Sequence, residues 1–151
     1  MYRWSKKSRD IIITVKEPLQ IWAEELITQS LIDLSIPEWG GKRTAEYQNE
    51  LFRKGWSKAD GYEKKSNHQS GNALDVCAFS NGKQSFNQER LGYIGGLGLK
   101  VWEELKESEQ VPMDLYLHWG GLWYTPNDDP SGLGWDLPHF ELKDYKQIPR
   151  I

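Results

Sequence analysis

SNHQSGNALDV, residues 66–76, places His68 seven residues before Asp75 across the small residues Ser70, Gly71 and Asn72. A loop that turns at these small residues and enters a strand can bring an imidazole and a carboxylate together. The run NALDVCAF at 72–79 alternates like such a strand, with Asp75, Cys77 and Phe79 expected on one face. Whether the pair holds a metal depends on a third ligand. The chain has three histidines, His68, His118 and His139, and His139 stands three residues after Asp136 in WDLPHFEL, 135–142. A catalytic metal site takes about three protein ligands, keeps one position open, and needs a carboxylate close by to carry a proton. Asp136 and His139, at i and i+3, can project the same way from a tight turn. That makes His139 the candidate third ligand and Asp136 the candidate base. Spacing alone leaves plainer readings open: a surface histidine with an exposed aspartate, and a turn capped by Asp136 beside Pro138.

Outward from this stretch, residues 18–34 read as a helix. Pro18 suits its first turn, and Leu19, Trp22, Ala23, Leu26, Leu31 and Leu34 recur at roughly helical spacing. IPEWGGK at 36–42 breaks it. A second helix is predicted over 44–54, with Tyr47 and Leu51 on its buried face, Arg53 and Lys54 at its C-terminus and Gly55 ending it. NGK at 81–83 is a turn. A third helix runs over 88–107, where Gly95, Gly96 and Gly98 suggest close packing against a neighbour. DLYLHW at 114–119 alternates like a strand, 125–134 reads as a loop, and 135–142 closes the domain as an extended segment. Early helices with few, separated strands point to an α+β class, the helices packed on a small antiparallel sheet.

The 151 residues suit one domain over 1–151, with no repeat left over to form a separate binding module. Hydrophobic residues at 38% and charged residues at 27% fit a globular chain rather than a disordered one. A net charge of −3 argues against a dedicated nucleic-acid binder, and the basic run RWSKKSR at 3–9 reads as a solvated face. Cys77 is the only cysteine, which excludes an intrachain disulfide and a thiolate-rich zinc site, and its apolar surroundings suit a small buried hydrophobe. The sequence shows no signal-peptide pattern and no apolar run near 18 residues, so the expectation is a protein made in a cytoplasm without stable membrane association. Eight tryptophans are many for this length. They serve packing or line a groove for an extended ligand.

SNHQSGNALDV resembles the Ser, His, Gly, Ala, Asp signature of the M15 zinc peptidases, the family of D-Ala-D-Ala carboxypeptidases and L-alanyl-D-glutamate peptidases, through Ser66, His68, Gly71, Ala73 and Asp75. WGG at 119–121 and DLPHFEL at 136–142 resemble the second half of that pattern. SKKS, IDLSI and GGKRTAEYQNELFRKGWSK are similar to the N-terminal half of phage endolysins of the L-alanyl-D-glutamate type. The likeness runs along nearly the whole chain in order. IPEWGG, and one extra residue within TAEYQ, depart from it. The resemblance implies an M15, hedgehog-like fold with one catalytic zinc in a central cleft, held by His68, Asp75 and His139, with Asp136 as general base. It gives Arg43 a role in contacting substrate or steadying the oxyanion, and Ser66 a role in orienting substrate. Trp119 and Trp135 are expected as groove walls, and Glu141 as a hydrogen-bond partner of a ligand histidine. His118 is open between a cleft-lining group, a partner of a ligand and a satisfied strand-end histidine.

The function implied is zinc-dependent cleavage of the peptidoglycan stem peptide, foremost at L-alanyl-D-glutamate, by a monomeric endolysin. Such an enzyme accumulates in the host bacterial cytoplasm and reaches the wall through a separate pore-forming protein. Cleavage at a D-alanyl-D-alanine terminus is the alternative enzyme. A zinc-retaining binding module of the same fold is the non-enzymatic alternative, and a carboxylate at position 136 argues against it.

Overall fold

The computed structural model describes residues 1–129 and 131–145; Pro130, within the expected loop, and the last residues of the expected domain, 146–151, lie outside it. The core forms where α2 (Glu17–Gln29) crosses α4 (Gln88–Glu107). Leu19, Trp22, Ala23, Leu26 and Ile27 form the buried stripe of α2 at the predicted period. The indole of Trp22 donates to the Gly98 carbonyl of α4 at 2.9 Å, so its polar edge is satisfied within the core.

The helix predicted over 18–34 stops at Gln29. Ser30 is extended, and its hydroxyl both donates to the Ile32 carbonyl at 2.6 Å and accepts from the Ile32 amide. This turn leaves Leu31 80% exposed and delivers Leu34 to the core from a strand, so the helical spacing of those two leucines was coincidental. A short helix, α1 (Lys6–Ile12), occupies part of the basic run read as a solvated face. Ser5 caps it, and the buried Trp4 just ahead of it donates to the Ala23 carbonyl at 3.0 Å. Seven residues are too few to show a period. The predicted second helix is α3 (Ala45–Arg53), capped by Thr44; its buried residues are Gln48 and Leu51, with Tyr47 only half-buried.

Two three-stranded antiparallel sheets stand in place of the single small sheet expected. In one, β1 (Leu34–Ser35) pairs with β3 (Cys77–Ser80), which pairs with β4 (Lys83–Ser85) through the predicted Asn81–Gly82 turn. In the other, β2 (Ala73–Asp75) pairs with β6 (His139–Asp144), which pairs with β5 (Leu115–Trp119). The strand expected over 72–79 therefore divides at Val76. Loops on either side claim the backbone there: Asp75 N–H donates to Gly40 and Val76 N–H to Pro138, each at 2.9 Å. Asp75, Cys77 and Phe79 thus do not share a face. Asp75 stands in the cleft, Cys77 is fully buried, and Phe79 is 37% exposed.

The β2–β6–β5 sheet positions the chemistry. Its registers place Leu74 and Trp119 opposite Phe140, and Leu117 opposite Leu142, on one face. Asp75 opposite His139, and His118 opposite Glu141, fall on the other. The apolar face packs on α4, where the glycines are needed for close approach: a Cβ at Gly95 would lie 2.2 Å from the Trp119 ring. Gly96 faces open space.

Gly95→Ala should therefore destabilise the protein by about 1–3 kcal/mol through overpacking. Gly96→Ala should leave stability unchanged or raise it by up to about 1 kcal/mol through helix propensity. Urea unfolding of the two variants checks both, and equal effects would remove the packing argument.

Candidate metal centre

His68 lies in a single 3-10 turn, Asn67–Ser70, and local chemistry fixes that turn. The Ser66 hydroxyl accepts from the His68 amide at 3.2 Å, and Gln69 Oε1 accepts from the Ser66 amide at 2.9 Å, a reciprocal capping box. Gly71 ends the turn at φ 76°, a left-handed position that suits glycine, and the chain passes directly into β2. The carboxylate at the end of β2, Asp75, pairs across the sheet with the first residue of β6, His139.

These elements bring three donor atoms together. His68 Nε2 lies 3.2 Å from His139 Nδ1 and 3.3 Å from Asp75 Oδ1, and the last two are 3.1 Å apart. Ligands of a four-coordinate ion at roughly 2.0–2.1 Å are separated by about 3.3 Å along a tetrahedral edge. The triangle matches that spacing, and the residues fit a metal ion. Each imidazole also has its other nitrogen occupied. His68 Nδ1 is 2.9 Å from the Gly41 carbonyl, and His139 Nε2 is 2.8 Å from Glu141 Oε1. With both outward N–H groups donating in this way, an inward nitrogen that has lost its proton presents a lone pair to the centre, the tautomer a metal requires.

Buried charge shapes the titration of the site. Burial alone would raise the Asp75 carboxyl, but His68 and His139 outweigh it and hold the group well below the usual carboxylate range. Burial would lower His139, yet its hydrogen bonds to Asp75 and Glu141 push it up to about 10. Asp136, 4.0 Å from His139 Nδ1, has its carboxyl raised by burial and by Asp75, with partial relief from His139. It projects from the predicted turn, in which the His139 amide donates to the Asp136 carbonyl at 3.2 Å. Gly120 makes that position possible, since a Cβ there would lie 2.1 Å from the Asp136 carbonyl oxygen.

A cleft of about 820 Å³ opens over these groups. Arg43, 9% exposed, lines it and reaches Asp75 Oδ2 at 3.5 Å, on the opposite side of the carboxylate from the histidines. Its Nε donates to the Trp39 carbonyl at 2.8 Å and its Nη1 to Gln48 Oε1 at 3.0 Å. Gln48, fully buried, donates in turn to Ser57 and Ala59. Asn67 donates to Glu141 Oε2 at 2.6 Å.

The family model described as phage L-alanyl-D-glutamate peptidase matches residues 1–143. The chain belongs to that family. Its fold is similar to that of the Serratia marcescens L-Ala D-Glu endopeptidase ChiX, with a TM-score of 0.71 and 24% identity over 95% of this chain and 90% of that one. No curated protein matches.

Within this family member, His68, Asp75, His139, Asp136, Arg43 and Glu141 come together as the sequence led us to expect. Trp135 lines the cleft. Trp119 does not, which corrects the expectation of a groove wall: it is 4% exposed, packed on Gly95 and Phe140, with its indole donating to the Leu137 carbonyl at 2.7 Å. Alternation along β5 dictates this, because His118 takes the polar face and its neighbour must take the other. His118 also stands off the cleft lining; its Nε2 accepts from the indole of Trp123 at 2.6 Å. Burial lowers its pKa, which suits a neutral acceptor. Ser66 lines the cleft with its hydroxyl oxygen already serving as a cap. Sequence reasoning missed three residues. Trp123 covers the His139 ring at 4.9 Å, Gln48 steadies Arg43, and Asn67 steadies Glu141. The adjacency of Asn67 to His68 was a usable hint; nothing in the spacing singled out Gln48.

Two outcomes follow for metal binding. His139, titrating near 10 when metal-free, must lose its Nδ1 proton to become a ligand. Apparent affinity should thus rise with pH by roughly tenfold per unit between neutrality and that value. Competition with a chelating dye at several pH values reads this directly, and a flat profile would contradict it. In the same assay Glu141→Gln should weaken affinity by roughly 10- to 100-fold, because the carboxylate that orients His139 is lost.

Proposed function

We propose that the chain is a zinc peptidase that hydrolyses the L-alanyl-D-glutamate bond of the peptidoglycan stem peptide. The observation that carries this reading is the triangle of two imidazole nitrogens and one carboxylate oxygen, with a second carboxylate, Asp136, at its edge. His68, Asp75 and His139 would hold the ion; two imidazoles and a carboxylate suit zinc, and three protein donors leave one position open. When bound, zinc would supply a Lewis acid and would lower the pKa of a coordinated water toward about 7.

The chain's own residues carry the proton. Asp136 accepts it at a carboxylate oxygen as water adds to the L-alanyl carbonyl carbon. It returns the proton to the D-glutamyl nitrogen as the carbon–nitrogen bond breaks. Burial raises the Asp136 carboxyl above its ordinary value, which brings it closer to the pKa of the water it deprotonates and suits a general base. Arg43, fixed by Trp39, Gln48 and Asp75, keeps further N–H protons for the developing oxyanion or a substrate carboxylate. Asn67 and Lys143 hold Glu141 against His139, which keeps the imidazole from rotating. Trp123 and Trp135 form an aromatic wall at the mouth.

Among the described residues no helix is long and apolar enough to cross a membrane. On family membership, the proposal extends to a monomeric endolysin made in the host cytoplasm and delivered to the wall by a separate pore-forming protein.

Mass spectrometry of fragments from purified peptidoglycan, with a chelator-treated control, tests the activity. Metal-dependent peptides with a new D-glutamyl amino terminus are expected. Loss of a terminal D-alanine alone would make the enzyme a carboxypeptidase, and no cleavage by folded, zinc-loaded protein would favour a binding module. Asp136→Asn should lower kcat by roughly 10²- to 10⁴-fold while zinc remains bound; wild-type turnover in that variant would remove Asp136 as the base.

A further inference from the structure

We propose that the loop from Gly55 to Lys65 is the specificity element of this site, a cationic rim that takes the free carboxylates of the stem peptide. The proposal rests on the reading of the chain as an L-alanyl-D-glutamate endopeptidase and names the kind of stem peptide it selects. The chain is acidic overall, at −3, yet Lys58, Lys64 and Lys65 all line the cleft. Both acids of the loop, Asp60 and Glu63, are absent from that lining. Asp60 is turned to structural use, its Oδ1 accepting from the Tyr62 and Lys64 amides at 2.9 Å each. Among the described residues none of the three lysines takes part in an ion pair.

The rim is tied to the reactive centre. Gln48, which holds Arg43, also donates to the Ala59 carbonyl at 2.9 Å. Gln69, beside His68, donates to the Gly61 carbonyl at 2.9 Å, and Asn49 of α3 donates to the Asp60 carbonyl at 2.9 Å. Within the loop the Gly61 amide donates to the Lys64 carbonyl at 3.1 Å. Lys58 lies over the Trp135 ring, 5.8 Å from its centroid. The backbone carrying the lysines is therefore fixed relative to the metal donors, while the ammonium groups remain exposed and without anionic partners.

The chemistry of the substrate supplies the complement. The L-alanyl carboxyl is consumed in the scissile bond, so carboxylates near the reacting centre lie on the D-glutamyl, leaving-group side. A D-glutamyl residue retains one carboxyl beyond its links to the chain. Three cations at the mouth of an otherwise acidic molecule favour a stem peptide in which that group is free over one in which it is amidated.

The test uses two synthetic stem peptides, one with the free D-glutamyl carboxylate and one with the corresponding amide. kcat/KM is measured for the wild-type, zinc-loaded protein, for K58Q/K64Q/K65Q, and for K58R/K64R/K65R. At low salt the wild type should prefer the acid peptide by roughly tenfold, from about two- to fivefold for each exposed cation. Salt should erode that preference. The glutamine variant should lose it and the arginine variant should keep it. Equal rates on both peptides in the wild type, or an undiminished preference in the glutamine variant, would overturn the proposal. Should the wild type cleave neither peptide, the activity reading fails, and calorimetric binding of the two peptides to the same proteins decides the rim separately. Tighter binding of the acid peptide that disappears in the glutamine variant upholds it, and equal binding overturns it.

Discussion

The antiparallel pairing of Asp75 with His139 is the constraint on which the rest of the site depends. One cross-strand pair places a carboxylate oxygen and an imidazole nitrogen 3.1 Å apart, while the alternation of the same two strands sends Leu74 and Phe140 into the core. A slip of one residue would invert both faces, burying Asp75 and His139 among leucines and exposing Phe140. The register is thus enforced by apolar burial and used by the chemistry. Packing of the apolar face on α4, with the Trp119 ring seated on Gly95, holds the opposite face in place.

Around this pair the structure gathers buried charge that is stable only as a set. Asp75 is shared between two histidines on one oxygen and Arg43 on the other, and His139 lies between Asp75 and Glu141. Removing one member of such a set leaves the others buried without a partner, at a cost of several kcal/mol. The partners outside the triangle have a geometric task as well. Gly41 and Glu141 each occupy the outward nitrogen of one imidazole, which settles which nitrogen faces the cleft. His118 does something similar at one remove by fixing the indole that covers His139.

Close approach explains much of the glycine and tryptophan usage. Gly95 and Gly121 receive the ring of Trp119, Gly98 receives those of Trp22 and Phe140, and Gly120 receives the backbone of Asp136. The WGG motif is consequently a packing device: its tryptophan anchors β5 in the core and its first glycine admits the loop that carries the carboxylate. The tryptophans divide by this logic. Trp4, Trp22, Trp102 and Trp119 are buried, whereas Trp39, Trp56, Trp123 and Trp135 line the cleft.

The sequence by itself determined the residue types of the candidate ligands, their order and the local turns that aim them. Ser66, Gly71 and the Asp136–His139 spacing act within a few residues, so their chemistry is legible without the fold. Helices α3 and α4 were legible for the same reason, since caps and periods are local. The tertiary structure decided everything that depends on residues far apart in the chain. It divided the strand at Val76 because the Gly40 and Pro138 loops claim the backbone there, and it ended α2 early where Ser30 turns the chain. It assigned Trp119 to the core and His118 to Trp123 through the face each takes on β5. It also recruited Gln48, whose hydrogen bonds to Arg43, Ser57 and Ala59 exist only once α3 and the loop after it have packed. Long-range pairing is selected by burial and register, and neither is written in the spacing of neighbouring residues.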